Sequence, residues 1–238
     1  MSSLIQPSLA HLVVSGDGAF YTLQGEGATL GMPAVFLRLH HCNLDCNWCD
    51  AAYTWNRQLP AFVTERQKWT VETTAKRVQS LGANHCKRLV ITGGEPLLQQ
   101  RSIIQLLRYL PDWNIEFETN GTIKPVEQLC YCQFNCSPKL ANSGIELARR
   151  FKPEVLAVIN QLPKSWFKFV VTGPDDILEM EETYRPYIDA KKIILSPEGT
   201  DVATIHAVQR SVVELALSRG YRLTPRLHIE LWGNERRK

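Results

Sequence analysis

Short apolar runs separated by helix-length stretches recur along this chain, and that rhythm limits its fold more than any other feature. The runs are Ala34–Leu39, Arg88–Ile91, Asn114–Glu118, Gln133–Cys136, Phe167–Val171 and Lys192–Leu195. Most are rich in Val, Ile, Leu and Phe, as strands buried on both faces are. Helices are predicted between several of them. Thr70–Leu81 opens on Thr70 as an N-cap, and Ser102–Leu110 stops before Pro111. Asp176–Tyr184 follows Pro174, and Thr200–Arg219 ends at Gly220, a favoured C-cap residue. This alternation predicts an α/β fold whose parallel sheet has about six strands and is open or partly closed into a barrel. Ala51–Lys68 has no clear periodicity and reads as a long loop of the functional or mobile kind. No repeat, low-complexity tract or boundary interrupts the 238 residues, so a single domain is expected.

Charge argues against several classes of partner. The net charge is +3, and the only basic run is Arg236-Arg237-Lys238, which reads as a solvated tail. Nucleic-acid binding calls for a clustered basic face, and none is legible. No apolar run approaches a membrane span, and Met1–Ala10 does not read as a signal peptide. A cytosolic protein is expected. In a reducing cytosol, its seven cysteines point to metal or catalysis before disulfides.

Polar, Gly- and Pro-containing segments follow the predicted strands repeatedly. They are Cys42–Cys49, Thr92–Pro96, Glu118–Gly121, Ser137–Lys139 and Ser196–Gly199. In parallel α/β sheets, the carboxyl ends of the strands form the ligand-binding rim. Cys42, Cys46 and Cys49 lie within eight residues as C-x3-C-x2-C. Structural zinc needs a fourth ligand, which only His40 or His41 stands near enough in sequence to give. A cubane cluster ordinarily takes four thiolates; held by three, it keeps one iron open for a small molecule. Cys130, Cys132 and Cys136 raise the question of a second cluster, but Cys136 falls on a buried strand and packing is the favoured reading.

The C-x3-C-x2-C motif after the first strand, with Trp48 before its third cysteine, resembles the signature of the radical S-adenosylmethionine superfamily. Gly93-Gly94-Glu95-Pro96 resembles that superfamily's segment against the methionine amino group, with Glu95 as the counter-charge. The resemblance implies a 4Fe–4S cluster on the three cysteines. The amino and carboxylate groups of S-adenosylmethionine would chelate the open iron, and reduction would yield a 5′-deoxyadenosyl radical that abstracts hydrogen from substrate.

With Leu23–Gly27, Arg38 and the ending Leu227-His228 to Leu231–Asn234 added, most of the chain resembles the 7-carboxy-7-deazaguanine synthase family. That implies a partial (β/α) barrel with an N-terminal substrate segment, 20–38, and a C-terminal tail, 221–238. It implies a carbon–nitrogen lyase that contracts 6-carboxy-5,6,7,8-tetrahydropterin to 7-carboxy-7-deazaguanine with loss of ammonia, in queuosine and 7-deazapurine biosynthesis. It also implies a homodimer reduced by a flavodoxin-like protein. Leu23, Gln24, Gly25, Arg38 and Thr92 would contact the pterin. Gln24 offers a donor and an acceptor to its edge, Arg38 a bidentate partner to its carboxylate, and Gly25 and Gly27 a close backbone approach. Trp48, Cys49, Asp50, Gly94, Glu95, Glu118, Ser137, Pro138, Lys139, Ser196, Pro197, Glu198 and Gly199 would surround S-adenosylmethionine. Many members carry a Mg2+-binding Thr after the Cys-Asp pair, where this chain has Ala51. Mg2+ is then left to substrate, water and backbone with help from Asp50, or is dispensed with. Trp232 and Asn234 either reach the site or, for Trp232, pack. The competing readings are an activating enzyme for a glycyl-radical partner and a non-catalytic iron–sulfur or zinc protein.

Overall fold

The computed structural model describes residues 10–236. Residues 1–9 of the Met1–Ala10 stretch and the last two residues of the basic tail lie outside them. Nine strands form one sheet: β1 His11–Leu23, β2 Pro33–Leu39, β3 Arg66–Thr70, β4 Arg88–Gly93, β5 Asn114–Thr119, β6 Gln133–Cys136, β7 Ser165–Val171, β8 Ile193–Pro197 and β9 Arg222–Leu223. Their order is β3-β1-β2-β4-β5-β6-β7-β8-β9. From β2 through β4 to β9 every pairing is parallel. All six expected strands are present, and β9 extends the run to seven.

The N-terminal edge differs from expectation. β1 pairs antiparallel with both β2 and β3. The first residues of the expected substrate segment, Phe20–Leu23, are the end of strand β1. The supposed long loop 51–68 holds a short turn at Ala52–Thr54, a helix at Pro60–Thr64 and most of β3.

Local chemistry sets the helix ends. Thr70 Oγ1 accepts from Thr73 N at 3.0 Å and starts the helix Val71–Gly82. Asp201, one residue beyond the expected start, caps Val202–Arg219 through Thr204 N at 2.9 Å. Gly220 closes it in the left-handed region at φ 70°. A further helix, Pro153–Gln161, begins on a proline suited to that position. The core lies between helices and sheet. Phe117 and Phe134 stack with centroids 5.1 Å apart, and Tyr184 meets Phe169 edge-on at 5.4 Å.

On β5, alternation sends Ile115 and Phe117 to one face and Glu116 and Glu118 to the other. The second face, at the carboxyl ends of the parallel strands, lines a cavity of about 280 Å³.

Candidate active site

The loop after β2 places Cys42, Cys46 and Cys49 in the wall of this cavity. All three pack around Leu44 and Ile145, a small apolar group apart from the main core. Burial pushes the Cys42 thiol up to about 12 and raises those of Cys46 and Cys49. N–H donors already face two of the sulfurs. Trp55 Nε1 lies 3.3 Å from Cys49 Sγ, and Leu44 N lies 3.5 Å from Cys42 Sγ. Such donors stabilise thiolates that hold iron–sulfur clusters. Among the described residues, no three His, Cys, Asp or Glu side chains close around a single ion. His40 is buried and bonded to Ser15 Oγ at 2.5 Å, with its pKa lowered to about 4 mainly by burial. The other four cysteines play no part here. Cys132 and Cys136 are buried in the core, Cys130 packs against it, and Cys86 donates to Pro33 O at 3.2 Å.

Most residues expected around S-adenosylmethionine share the same cavity: Trp48, Asp50, Gly94, Ser137, Lys139, Ser196, Pro197 and Glu198. Lys139 Nζ bonds Ser137 O and Oγ, both at 3.0 Å, and stands 5.4 Å from the Trp48 ring centroid. Ser196 Oγ is buried in the wall with no partner, the state of a hydroxyl that a ligand completes.

Three residues stand elsewhere. Glu95 is fully buried beneath the loop rather than aimed at an ammonium. Its carboxylate accepts from Leu97 N, Thr119 Oγ1 and Asn120 N at 2.9, 2.8 and 2.7 Å, so it holds the rim loops together. Pro138 and Gly199 are not in the wall; Gly199 lends its carbonyl to Arg226 at 2.6 Å. The paired glycines serve the chain's own backbone. A Cβ on Gly93 would lie 2.1 Å from Leu39 O, and one on Gly94 2.0 Å from His41 O. Gly93→Ala is therefore expected to cost about 3 kcal/mol or more in a urea melt, because backbone on both sides must shift.

Leu23, Gln24, Gly25, Arg38 and Thr92 line the opposite wall. Gln24 does not present a free amide. Its NH2 is shared between Glu116 and Glu118 at 3.1 and 3.0 Å, and its carbonyl accepts from Glu26 N at 3.2 Å. Glu118, expected beside the cofactor, belongs to this wall, with Thr92 donating to it at 2.6 Å. Behind them Glu116 is completely buried and accepts from Thr29, Asn135 and Arg88. Burial raises its pKa. Gly25 leaves room for the His228 ring, since a Cβ there would meet Nδ1 at 2.0 Å. Gly27 likewise faces Asn135 rather than a ligand. Arg38 stands 5.9 Å over the Phe20 ring and has no hydrogen bond or ion pair among the described residues.

Sequence reasoning missed the charged hub that joins the two walls. Arg226, just past β9, binds Glu26 Oε1 through Nε at 2.7 Å and Asp50 Oδ2 through Nη2 at 2.6 Å. Lys168 on β7 bonds the other oxygen of Glu26. His228 adjoins this hub; burial lowers its pKa, which keeps the ring neutral at pH 7. Asn234 also reaches the cavity, whereas Trp232 does not line it. The tail is no solvated run at Arg236, which pairs with both oxygens of Glu65 at 3.0 and 2.6 Å and lies 3.7 Å over Tyr53.

The hub makes a pH prediction. Burial alone would raise the Glu26 carboxyl, but Lys168 and Arg226 outweigh it and hold its pKa well below 4.5. Its contribution is present above pH 4.5 and is lost as pH falls through the lower folded value. Glu26→Gln is expected to cost about 3 kcal/mol at neutral pH, with the deficit shrinking toward pH ~3 in parallel urea melts.

A mostly parallel sheet with a cysteine loop and glycine-rich turns on its carboxyl rim is the arrangement that the resemblance to radical S-adenosylmethionine enzymes implies. Residues 23–121 match a family model described as a 4Fe-4S single cluster domain. The 7-carboxy-7-deazaguanine synthase of Pyrobaculum aerophilum is 37% identical over 92% of this chain and 95% of its own. That of Halobacterium salinarum is 35% identical over 90% and 89%. Among solved structures, QueE from Escherichia coli aligns with a TM-score of 0.69 at 25% identity, covering 92% of this chain and 95% of that one. SuiB of Streptococcus suis bound to S-adenosylmethionine shares the fold alone: TM-score 0.51, 16% identity, 80% of this chain and 45% of that one. The chain belongs to the 7-carboxy-7-deazaguanine synthase family.

Proposed function

We propose that this chain converts 6-carboxy-5,6,7,8-tetrahydropterin to 7-carboxy-7-deazaguanine with release of ammonia, as a carbon–nitrogen lyase feeding 7-deazapurine and queuosine biosynthesis. One observation carries the reading. The cavity that the three cysteines line also carries an acceptor wall, Glu118 with Gln24 and Thr92, and a cation, Arg38, with no hydrogen bond or ion pair among the described residues. A pterin has the complementary layout, with amide and amine donors on one edge and a carboxylate at the other end.

In this reading Cys42, Cys46 and Cys49 hold the cluster, and Gly94, Ser137, Lys139 and Ser196 surround S-adenosylmethionine. When bound, these groups supply the radical that takes hydrogen from substrate. Glu118 accepts from the pterin edge, while Gln24 fixes the Glu118 carboxylate rather than reading the edge alone. Arg38 pairs with the substrate carboxylate, the strong bidentate geometry open to a guanidinium. Neutral His228, in the cavity wall, can take up a proton. Residues 20–38 and 221–236 act as the substrate segment and tail of one domain. A homodimer and a flavodoxin-like electron donor complete the proposal. No described helix is long and apolar enough to cross a membrane.

The test is anaerobic reconstitution, reduction with dithionite, addition of S-adenosylmethionine and the pterin, and product analysis by mass-resolved chromatography. The deazapurine is expected without stoichiometric loss of S-adenosylmethionine. Cofactor cleavage without the deazapurine would overturn the substrate assignment.

A further inference from the structure

The residues beside Asp50 do not suit Mg2+. Ala51 brings no side-chain oxygen, and its carbonyl already accepts from Thr54 N at 2.9 Å and Thr54 Oγ1 at 2.8 Å. Two such bonds occupy both lone pairs of a carbonyl. Of the two nearest hydroxyls in sequence, Tyr53 lies under the Arg236 guanidinium at 3.7 Å, and Thr54 is completely buried and turned onto that carbonyl. Asp50 is the remaining oxygen donor at this point of the loop, and the Arg226 guanidinium holds its Oδ2 at 2.6 Å. Mg2+ demands near-ideal octahedral geometry and strips its water reluctantly. An ion on Asp50 would also have to settle against a fixed positive charge.

Arg226 cannot readily swing aside. It is 9% exposed and tied on three sides, to Glu26 Oε1, Asp50 Oδ2 and Gly199 O at 2.7, 2.6 and 2.6 Å. Nη2 also faces His228 Nε2 at 3.5 Å, which leaves one N–H, on Nη1, for the cavity Arg226 lines. Guanidinium keeps its charge throughout the working pH range, so its remaining N–H is a donor that needs no loading step.

Resting on the proposed pterin reaction, we infer that this chain works without Mg2+, the guanidinium of Arg226 standing beside Asp50 as a built-in cation that positions the substrate's carboxylate end. Arg38 and Arg226 then hold that end from two directions, one unpaired and one locked to the cluster loop.

The first test uses the reconstituted wild-type enzyme with an oxidised, diamagnetic cluster. Mn2+ is titrated in the presence of S-adenosylmethionine and the pterin, and its free signal is followed by electron paramagnetic resonance. No stoichiometric uptake is expected, and turnover in EDTA should stay within about twofold of turnover in Mg2+. One tightly held Mn2+ per chain, or a loss of about tenfold in EDTA that Mg2+ restores, would overturn the inference. Product in neither buffer would instead overturn the pterin reading itself. The second test is Arg226→Gln, expected to raise the pterin KM about tenfold or more, with Arg226→Lys recovering part of the loss through its charge. A glutamine variant with wild-type KM in EDTA would overturn the role given to Arg226. Should that variant fail to fold, the wild-type Mn2+ titration still decides.

Discussion

Replacing Cys46 with alanine is expected to abolish the radical chemistry, with at least about a 10³-fold loss of turnover and of uncoupled cofactor cleavage. The loss is this large because two thiolates cannot retain a cubane that three hold. Cys46 is buried, yet it packs only with Leu44, Ile145 and the other two loop cysteines, away from the main core. The fold is therefore expected to persist while iron content and visible charge-transfer absorbance fall. Cys136→Ala is the contrasting variant. Cys136 sits wholly buried in the main core, so its loss should lower stability and leave the iron in place. Iron analysis and circular dichroism on both proteins separate the two kinds of cysteine.

Arg38→Ala is expected to lower kcat/KM for the pterin by about 10²-fold, the scale of a lost charge-assisted pair in a confined site. Most protein arginines this close to carboxylates are already paired. Arg38 instead lies over Phe20 with no hydrogen-bond acceptor among the described residues, while Arg226 and Lys168 share Glu26. Its removal costs the folded protein little and the substrate complex a great deal. Steady-state kinetics check the split: KM for the pterin should rise, and cleavage of S-adenosylmethionine without pterin should continue.

Much of this molecule was legible because its parallel strands are buried on both faces and announce themselves as apolar runs. The strands that escaped notice obey different rules. In β1, Ser15-Gly16-Asp17-Gly18 reads as a turn, but the chain passes through it as an irregularity in register between Val14 and Ala19, with both glycines at positive φ. β3, Arg-Gln-Lys-Trp-Thr, is an edge strand with three exposed residues and so lacks an apolar signal. The cysteines were readable because the C-x3-C-x2-C spacing compresses them into eight residues. The Glu26–Arg226–Asp50 hub was not, because its members lie far apart in sequence and charge alone does not say which residues meet. Glu116 and Glu118, two residues apart on a strand, had to share a face, and that face brings Glu118 to the cavity. Glu95 is the converse case. Its motif suggested an outward charge, but the tight approach of Gly93 and Gly94 to Leu39 and His41 turns it inward onto backbone donors.

The central claim is that one cavity brings the pterin to the cofactor radical. The most direct measurement is anaerobic turnover of pterin deuterated on its reduced ring carbons, followed by the mass of the recovered S-adenosylmethionine. The account predicts deuterium in that S-adenosylmethionine alongside 7-carboxy-7-deazaguanine. Product formed while S-adenosylmethionine keeps its natural mass would contradict it, since hydrogen would then never have passed from the pterin to the cofactor.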